Sequence, residues 1–359
     1  MTTTYVYAII PTGDQVIFDE VAGADDDQDE VYTIPHRDLA AVVSASPLAD
    51  YRGLKRDRAA RYLVAHQRVV EAVMKAFPIL PAKFGTVLPD EDSVRRLLAQ
   101  GEPLFRTTLE EFADRVQMEV VILWDLQRVF QEIGQETHIA QLKAQIAGHP
   151  PEETLIERVA IGQMVHASLE KRRASLQEYL IHWLGKAALD LVVNPPMDDS
   201  MVTNAALLVD KAEQEALDQQ LELLDEEFEG QLTFRRVGPL PPYSFATVEV
   251  EVPSYEAIDE ARRHLGLGET AAPGEIRRAY HRLAGQLHPD HNPDDPQAEA
   301  RMTELAHAYE LLTAYAENVQ QSETCTEPGR SIQFSRKMVE RTLLIAIRRQ
   351  EMLVPPGGA

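Results

Sequence analysis

The sequence predicts an α+β protein, with two antiparallel-sheet α+β units, long helices between them, then a helical hairpin and a C-terminal helix. Three observations carry this. Short β-rich runs alternate with stretches of helical period over roughly the first 124 residues. A long helical pattern fills the middle of the chain, and a compact helical stretch begins near Ser254. The expected domains are 1–124, 125–253, 254–321 and 322–359.

Tyr5–Ile10 is a short β-rich run closed by Pro11-Thr12-Gly13, and Leu39–Ser46 is a second, ended by Pro47. Asp25–Glu30 reads as a solvated acidic loop without the spacing of a calcium loop. In Arg56–Phe77, Tyr62, Val69, Val70, Val73 and Phe77 recur near helical spacing, and Pro78 stops the helix. Ile79–Val87 reads as a strand. Asp90-Glu91-Asp92 opens a further helix with acids at its positive end. Leu104–Val116 is helical and Met118–Trp124 is a strand. The order β, β, α, β, α, β suggests a ferredoxin-like first unit with Met118–Trp124 in its sheet.

Asp125 to about Gly148 is helical, and Glu152–Val193 forms one long helical pattern whose natural partner is the preceding helix. Met201–Val209 reads as a strand. Asp210–Glu229 is an acidic amphipathic helix closed by Gly230, and Gln231–Val237 and Phe245–Val252 read as strands. The tail reads as a loop, then a basic helix Arg336–Glu351. Between Arg330 and Arg349 the cations Arg330, Arg336, Lys337, Arg341, Arg348 and Arg349 oppose the single acid Glu340, so the segment is expected to dock on the acidic helix Asp210–Glu229.

The chain has 359 residues and a formal net charge of −23, which argues against general nucleic-acid binding. The single cysteine, Cys325, cannot form an intramolecular disulfide, and a reducing cytoplasm is the expected compartment. No signal peptide and no membrane span are expected. Ser44 and Ser46 lack a His/Asp partner at recognisable spacing, and Gly13 and Gly23 belong to no phosphate-binding string. His288 and His291 have no further ligands at zinc spacing. No enzyme activity, cofactor or metal is expected. His66 reads as a partly buried core histidine, and Trp124 and His182-Trp183 as packing residues.

Two resemblances go further. Glu275–Leu287 carries an apolar stripe of Ile276, Tyr280, Leu283 and Leu287, with Arg277, Arg278, His281 and Arg282 on its other side. Glu299–Leu312 is a second helix, and His288-Pro289-Asp290 lies between them. Together with Arg263–Leu267, Asn292-Pro293 and Ala308–Leu312, this resembles the J domain of DnaJ-type cochaperones over roughly residues 257–315. The resemblance implies that His288, Pro289, Asp290, Arg277, Arg278 and Arg282 contact a DnaK-type chaperone and stimulate its ATPase. Gln286 and Leu287 stand where that family has a basic and an aromatic residue, and its final helix motif is absent after Tyr315. A spacer module is therefore the second reading.

The second resemblance is carried by Tyr5–Ile9, Ala41–Ser44, His66 with Val69-Val70-Glu71, Ile79–Thr86 including Phe84-Gly85-Thr86, and Gly238-Pro239-Leu240-Pro241-Pro242-Tyr243-Ser244-Phe245. Together these are similar to the gas vesicle GvpF/GvpL family over roughly residues 5–252. The resemblance implies an accessory protein of vesicle formation, located at the gas vesicle, that binds the shell protein GvpA and other vesicle proteins and limits GvpA aggregation. The hallmark residues Phe84, Gly85, Thr86, Pro241, Pro242, Tyr243 and Phe245 are expected to be mainly structural, with Tyr243 and Phe245 as core anchors. The alternative is a general DnaJ-like cochaperone that uses residues 1–252 to hold clients.

Overall fold

A computed structural model describes residues 3–23, 30–46, 48, 50, 51, 53–288, 297–322 and 331–350. Pro289, Asp290, His291, Asn292, Pro293 and Cys325, and most of the acidic loop, lie outside the described residues. The chain forms two compact units, residues 1–113 with 246–348, and residues 114–245 with 349–359.

The first unit opens with β1 (Thr3–Ile10), β2 (Ile17–Ala22), β3 (Glu30–His36) and β4 (Leu39–Ser46). Helix α1 (Arg56–Met74), the short strands β5 (Leu80–Pro81) and β6 (Val87–Leu88), and helix α2 (Glu91–Phe112) follow. The sheet order is β2-β3-β4-β1-β5, with β6 also paired to β1, and every pairing is antiparallel. β1 is buried from Thr4 to Ile10, so both its faces are covered. The expected strand Ile79–Val87 is interrupted by a turn and yields only its two ends, β5 and β6. The two helical stretches expected at Asp90 and Leu104 are one helix. Asp90 caps α2 by accepting from Ser93 N–H at 2.7 Å, and Pro103 lies inside it.

The second unit starts with β7 (Arg115–Trp124). This corrects the expected boundary at residue 124. β7 does not close the first sheet but lies between two strands far along the chain. Next come α3 (Leu126–Gly134), α4 (Thr137–Gln145) and the thirty-residue α5 (Leu155–Leu184). β8 (Asp190–Asn194), β9 (Met201–Asp210), α6 (Gln214–Glu227) and β10 (Leu232–Leu240) complete the antiparallel sheet β10-β7-β9-β8. The long helical pattern thus ends at Leu184, and Leu189–Val193, read as helix, lies largely in an edge strand. Met118, Val120, Ile122, Leu169, Leu180, Leu207 and Leu217 centre this unit's core.

The chain then returns to the first unit as β11 (Thr247–Glu251). Ala82 bridges Val248 in parallel, and Lys83 N–H donates to Val248 O at 2.9 Å, so β11 extends the first sheet beyond β5. Helix α7 (Tyr255–His264), strand β12 (Thr270–Ala271) and helices α8 (Pro273–Leu287) and α9 (Ala298–Ser322) form the helical module. Ser254 caps α7 through Ala257 N–H at 3.0 Å. Ile258, Leu265, Ile276, Leu305, Leu312 and Tyr315 lie in one apolar core. Tyr280 and Tyr309 stack at 4.2 Å between α8 and α9.

The tail departs from expectation. It contains β13 (Ile332–Gln333), the one-turn helix α10 (Arg336–Val339) and β14 (Leu344–Arg348), not one basic helix. It docks within the first unit and not on the acidic helix Asp210–Glu229. β13 pairs with β12, and β14 pairs with β11 over five residues. The basic residues do find acids, Arg336 with Glu256 at 2.7 Å and Arg348 with Glu249 at 3.2 Å. Ile332, Phe334, Val339 and Leu344 join the core of the helical module. Phe334 is 2% exposed and meets the Tyr315 ring at 5.9 Å. Phe334→Ala should therefore cost about 3 kcal/mol or more of the module's stability. Urea denaturation checks this, and an unchanged midpoint would show that the tail is not part of that core.

Candidate functional site

Three places in the described residues carry the candidate residues. The first is the hallmark turn between β5 and β6. Lys83 O accepts from the Thr86 hydroxyl at 2.7 Å and from Thr86 N–H at 3.1 Å, closing the turn. Gly85 sits at φ 81°, where a Cβ would come to 3.0 Å from that of Tyr51. Phe84 meets Tyr51 edge-on at 5.8 Å and His66 at 5.9 Å. Gly85 N–H donates to the Tyr5 hydroxyl at 3.0 Å, and that hydroxyl lies 3.0 Å from His66 Nδ1. The Tyr5 hydroxyl thus bridges Gly85 N–H and the His66 imidazole. Tyr7 bonds Ser44 at 2.9 Å, and Tyr51 bonds Ser46 at 2.9 Å. These serines anchor tyrosines. His66 is only 1% exposed, more deeply buried than its sequence position suggests. Burial lowers its pKa from 6.5 to about 4, against the opposing pull of a backbone hydrogen bond to Ala82.

The second place is the Gly238–Phe245 segment. Gly238 has φ 137°, and a Cβ there would come within 2.7 Å of Met118 Sδ. Ser244 N–H donates to the buried Gln117 side chain at 2.8 Å. Tyr243 N–H reaches Pro241 O at 2.7 Å and Phe245 N–H reaches Pro242 O at 3.0 Å, so the prolines fold the chain into a tight turn. Pro241, Pro242 and Phe245 are buried, whereas Tyr243 is half-buried. Phe245 is thus the stronger anchor of the expected pair.

The third place is the helical module. Arg277, Arg278, His281 and Arg282 are exposed along one side of α8, while Ile276 and Ala279 are buried on the other. Among the described residues these three arginines have no carboxylate partner. His288 is exposed and ends α8, its N–H on Ala284 O at 3.0 Å. The structure thus groups Arg277, Arg278, Arg282 and His288 on one helix, which ends next to Pro289 and Asp290 in the sequence.

Sequence reasoning missed a cleft in the second unit of about 1190 Å³, floored by Val129, Met164, Leu176 and Phe228. Arg172 pairs with Glu132 at 3.0 Å and with Glu136 at 2.9 Å across it. The Ser168 hydroxyl and the Arg172 guanidinium hold Glu136 below the usual carboxylate range. Among the described residues no group of His, Cys, Asp and Glu is placed to hold a metal ion, and no helix is long and apolar enough to cross a membrane.

Residues 3–247 match the family described as "Gas vesicle synthesis protein GvpL/GvpF", and residues 263–318 match the DnaJ domain. Gas vesicle protein F of Streptomyces sp. (strain CB03234) is 28% identical over 248 residues, covering 68% of this chain and 99% of that protein. The crystal structure of GvpF from Anabaena sp. PCC7120 aligns with a TM-score of 0.56 and 26% identity, covering 68% of this chain and 98% of that one. DnaJ homolog subfamily B member 11 of Rattus norvegicus is 46% identical over 65 residues, 18% of each protein.

The buried imidazole gives a pH prediction. His66 is neutral in the folded chain down to about pH 4 but takes a proton near pH 6.5 when unfolded. Its contribution is therefore complete above about pH 6.5 and declines as pH falls toward 4, by about 3 kcal/mol in total. Denaturation midpoints of wild type and His66→Gln, compared from pH 7 to 4, should converge as pH falls. A constant difference would mean that His66 titrates alike in both states.

Proposed function

The chain belongs to the GvpL/GvpF family of gas vesicle synthesis proteins, and we propose that it is a vesicle-assembly factor that binds GvpA, limits its aggregation, and brings a DnaK-type chaperone to it. The observation that carries this reading is the presence in one chain of the family domain and of a J module whose basic helix face is left exposed. An exposed cationic face steers an acidic surface toward it. The module's interior is complete, with Tyr280 on Tyr309 and a continuous apolar core, so it is built to present that face. Binding and holding need no catalytic group, and the hallmark residues serve the fold. On this reading the protein acts in the cytoplasm, at the gas vesicle, alongside other vesicle proteins.

The complete J core also favours a second reading, a general cochaperone that uses residues 1–252 for clients. Client range separates the two. Copurification with GvpA, with and without DnaK and ATP, should retain GvpA selectively, and ATP with DnaK should release it. His288→Gln should abolish both the release and the stimulation of DnaK ATPase while leaving GvpA binding intact. Equal suppression of aggregation for unrelated proteins would favour the general cochaperone. No stimulation by wild type would reduce the J module to a spacer.

A further inference from the structure

The tail strand β14 occupies an edge that the shared family domain leaves outside itself. The family match ends at residue 247, the first residue of β11, so β14 lies beyond it. β11 is bound on one side by Ala82 and Lys83, and its other side would be a bare edge without β14. A bare edge is a template for another strand. The register pairs Val248 with Ile347 and Val250 with Ile345, which puts these four side chains on one face. Val248 and Ile345 are buried, and on the opposite face Glu249 meets Arg348 at 3.2 Å and Lys83 at 2.9 Å. The edge is therefore built for an extended segment with alternating apolar residues and a cation near its C-terminal end.

The strand is held from two elements besides β11. Gln100 on α2 donates to Arg341 O at 3.0 Å and accepts from Leu343 N–H at 3.0 Å. Asn318 on α9 accepts from Ile345 N–H at 3.0 Å, and its own amide donates to Ala314 O at 2.9 Å. Beyond Ile345 the strand turns Ala346 and Arg348 outward to solvent. The strand is thus gripped by α2 and, at Ile345, by the J module's last helix.

We propose that the outer edge of β11 is a docking edge for an extended apolar–basic client segment, and that β14 closes it in cis as a removable stopper anchored by Asn318. Occupancy of the edge and the position of α9 are then coupled. A client strand competes with β14, and displacement of α9 loosens the stopper. The proposal rests on the assembly-factor reading only for the identity of the client.

The test uses the full chain and a labelled peptide of residues 342–350, with a scrambled peptide as control. Ala346→Pro in the chain removes a ladder donor from β14 and leaves the peptide's own donor intact, because Ile345 N–H points to Asn318 and the next N–H points to β11. Ile347→Asp in the chain weakens the cis pairing with Val248 in the same one-sided way. The peptide should bind Ala346→Pro at least tenfold and Ile347→Asp at least fivefold more tightly than wild type, and the scrambled peptide neither. Equal affinity for wild type and Ile347→Asp, or equal binding of the scrambled peptide, overturns the proposal. If Ala346→Pro loses its circular dichroism signal, Ile347→Asp decides alone. The assay contains neither GvpA nor DnaK, so its failure is separate from a failure of the assembly-factor reading.

Discussion

The ladder around β11 is the constraint on which the C-terminal third of the structure depends. The chain leaves the first unit at residue 113 and rejoins it at 246. On return it must satisfy the donors and acceptors of a five-residue strand. Ala82 and Lys83 meet one side of it at Val248, and β14 pairs with the other along its whole length. Because β14 comes from the end of the described chain, everything between β11 and β14 is closed into a loop anchored at both ends. That loop is the J module. Its termini are held by a sheet, which restricts it far more than a flexible linker would.

Packing reinforces the ladder. α9 packs against α2 and against β14, so the module's last helix has the family domain on one side and the tail on the other. Tyr315 donates to Gln333 O at 2.8 Å, and Phe334 lies beside its ring. The tail thus packs on the end of α9, after which the sequence lacks the J family's final helix motif. Among the described residues, the side of α8 that carries Arg277, Arg278 and Arg282 stays exposed. An apolar core, a strand pairing and an exposed cationic face are divided among different surfaces of the same three helices.

Local pattern revealed much of this and failed where a distant partner decides. The β1 and β4 runs were legible because they are apolar and closed by turn residues. The end of α6 was legible from Gly230, which adopts φ 72°. β7 was read as a strand but given to the wrong sheet, since alternation says nothing about which strand lies alongside. Leu189–Val193 continues the apolar spacing of α5 and became strand through pairing with β9. In the tail, Phe334, Met338, Thr342 and Ile345 fit a helix, but Leu344–Ile347 fits a strand as well, and β11 decides between them. At the candidate sites, the basic face of α8 follows from helical spacing. The link from Gly85 through Tyr5 to His66 joins residues from three elements, and no local signal announces it.

The central claim is that the J module is built into the family's first unit and does not hang from it. Native-state hydrogen exchange in increasing denaturant tests this most directly, because amides that open together share one unfolding free energy. The account predicts that the most protected amides of α9 merge with those of β1 and β4 at the same free energy. Loss of α7–α9 protection at clearly lower denaturant, with β1 and β4 unchanged, would contradict it.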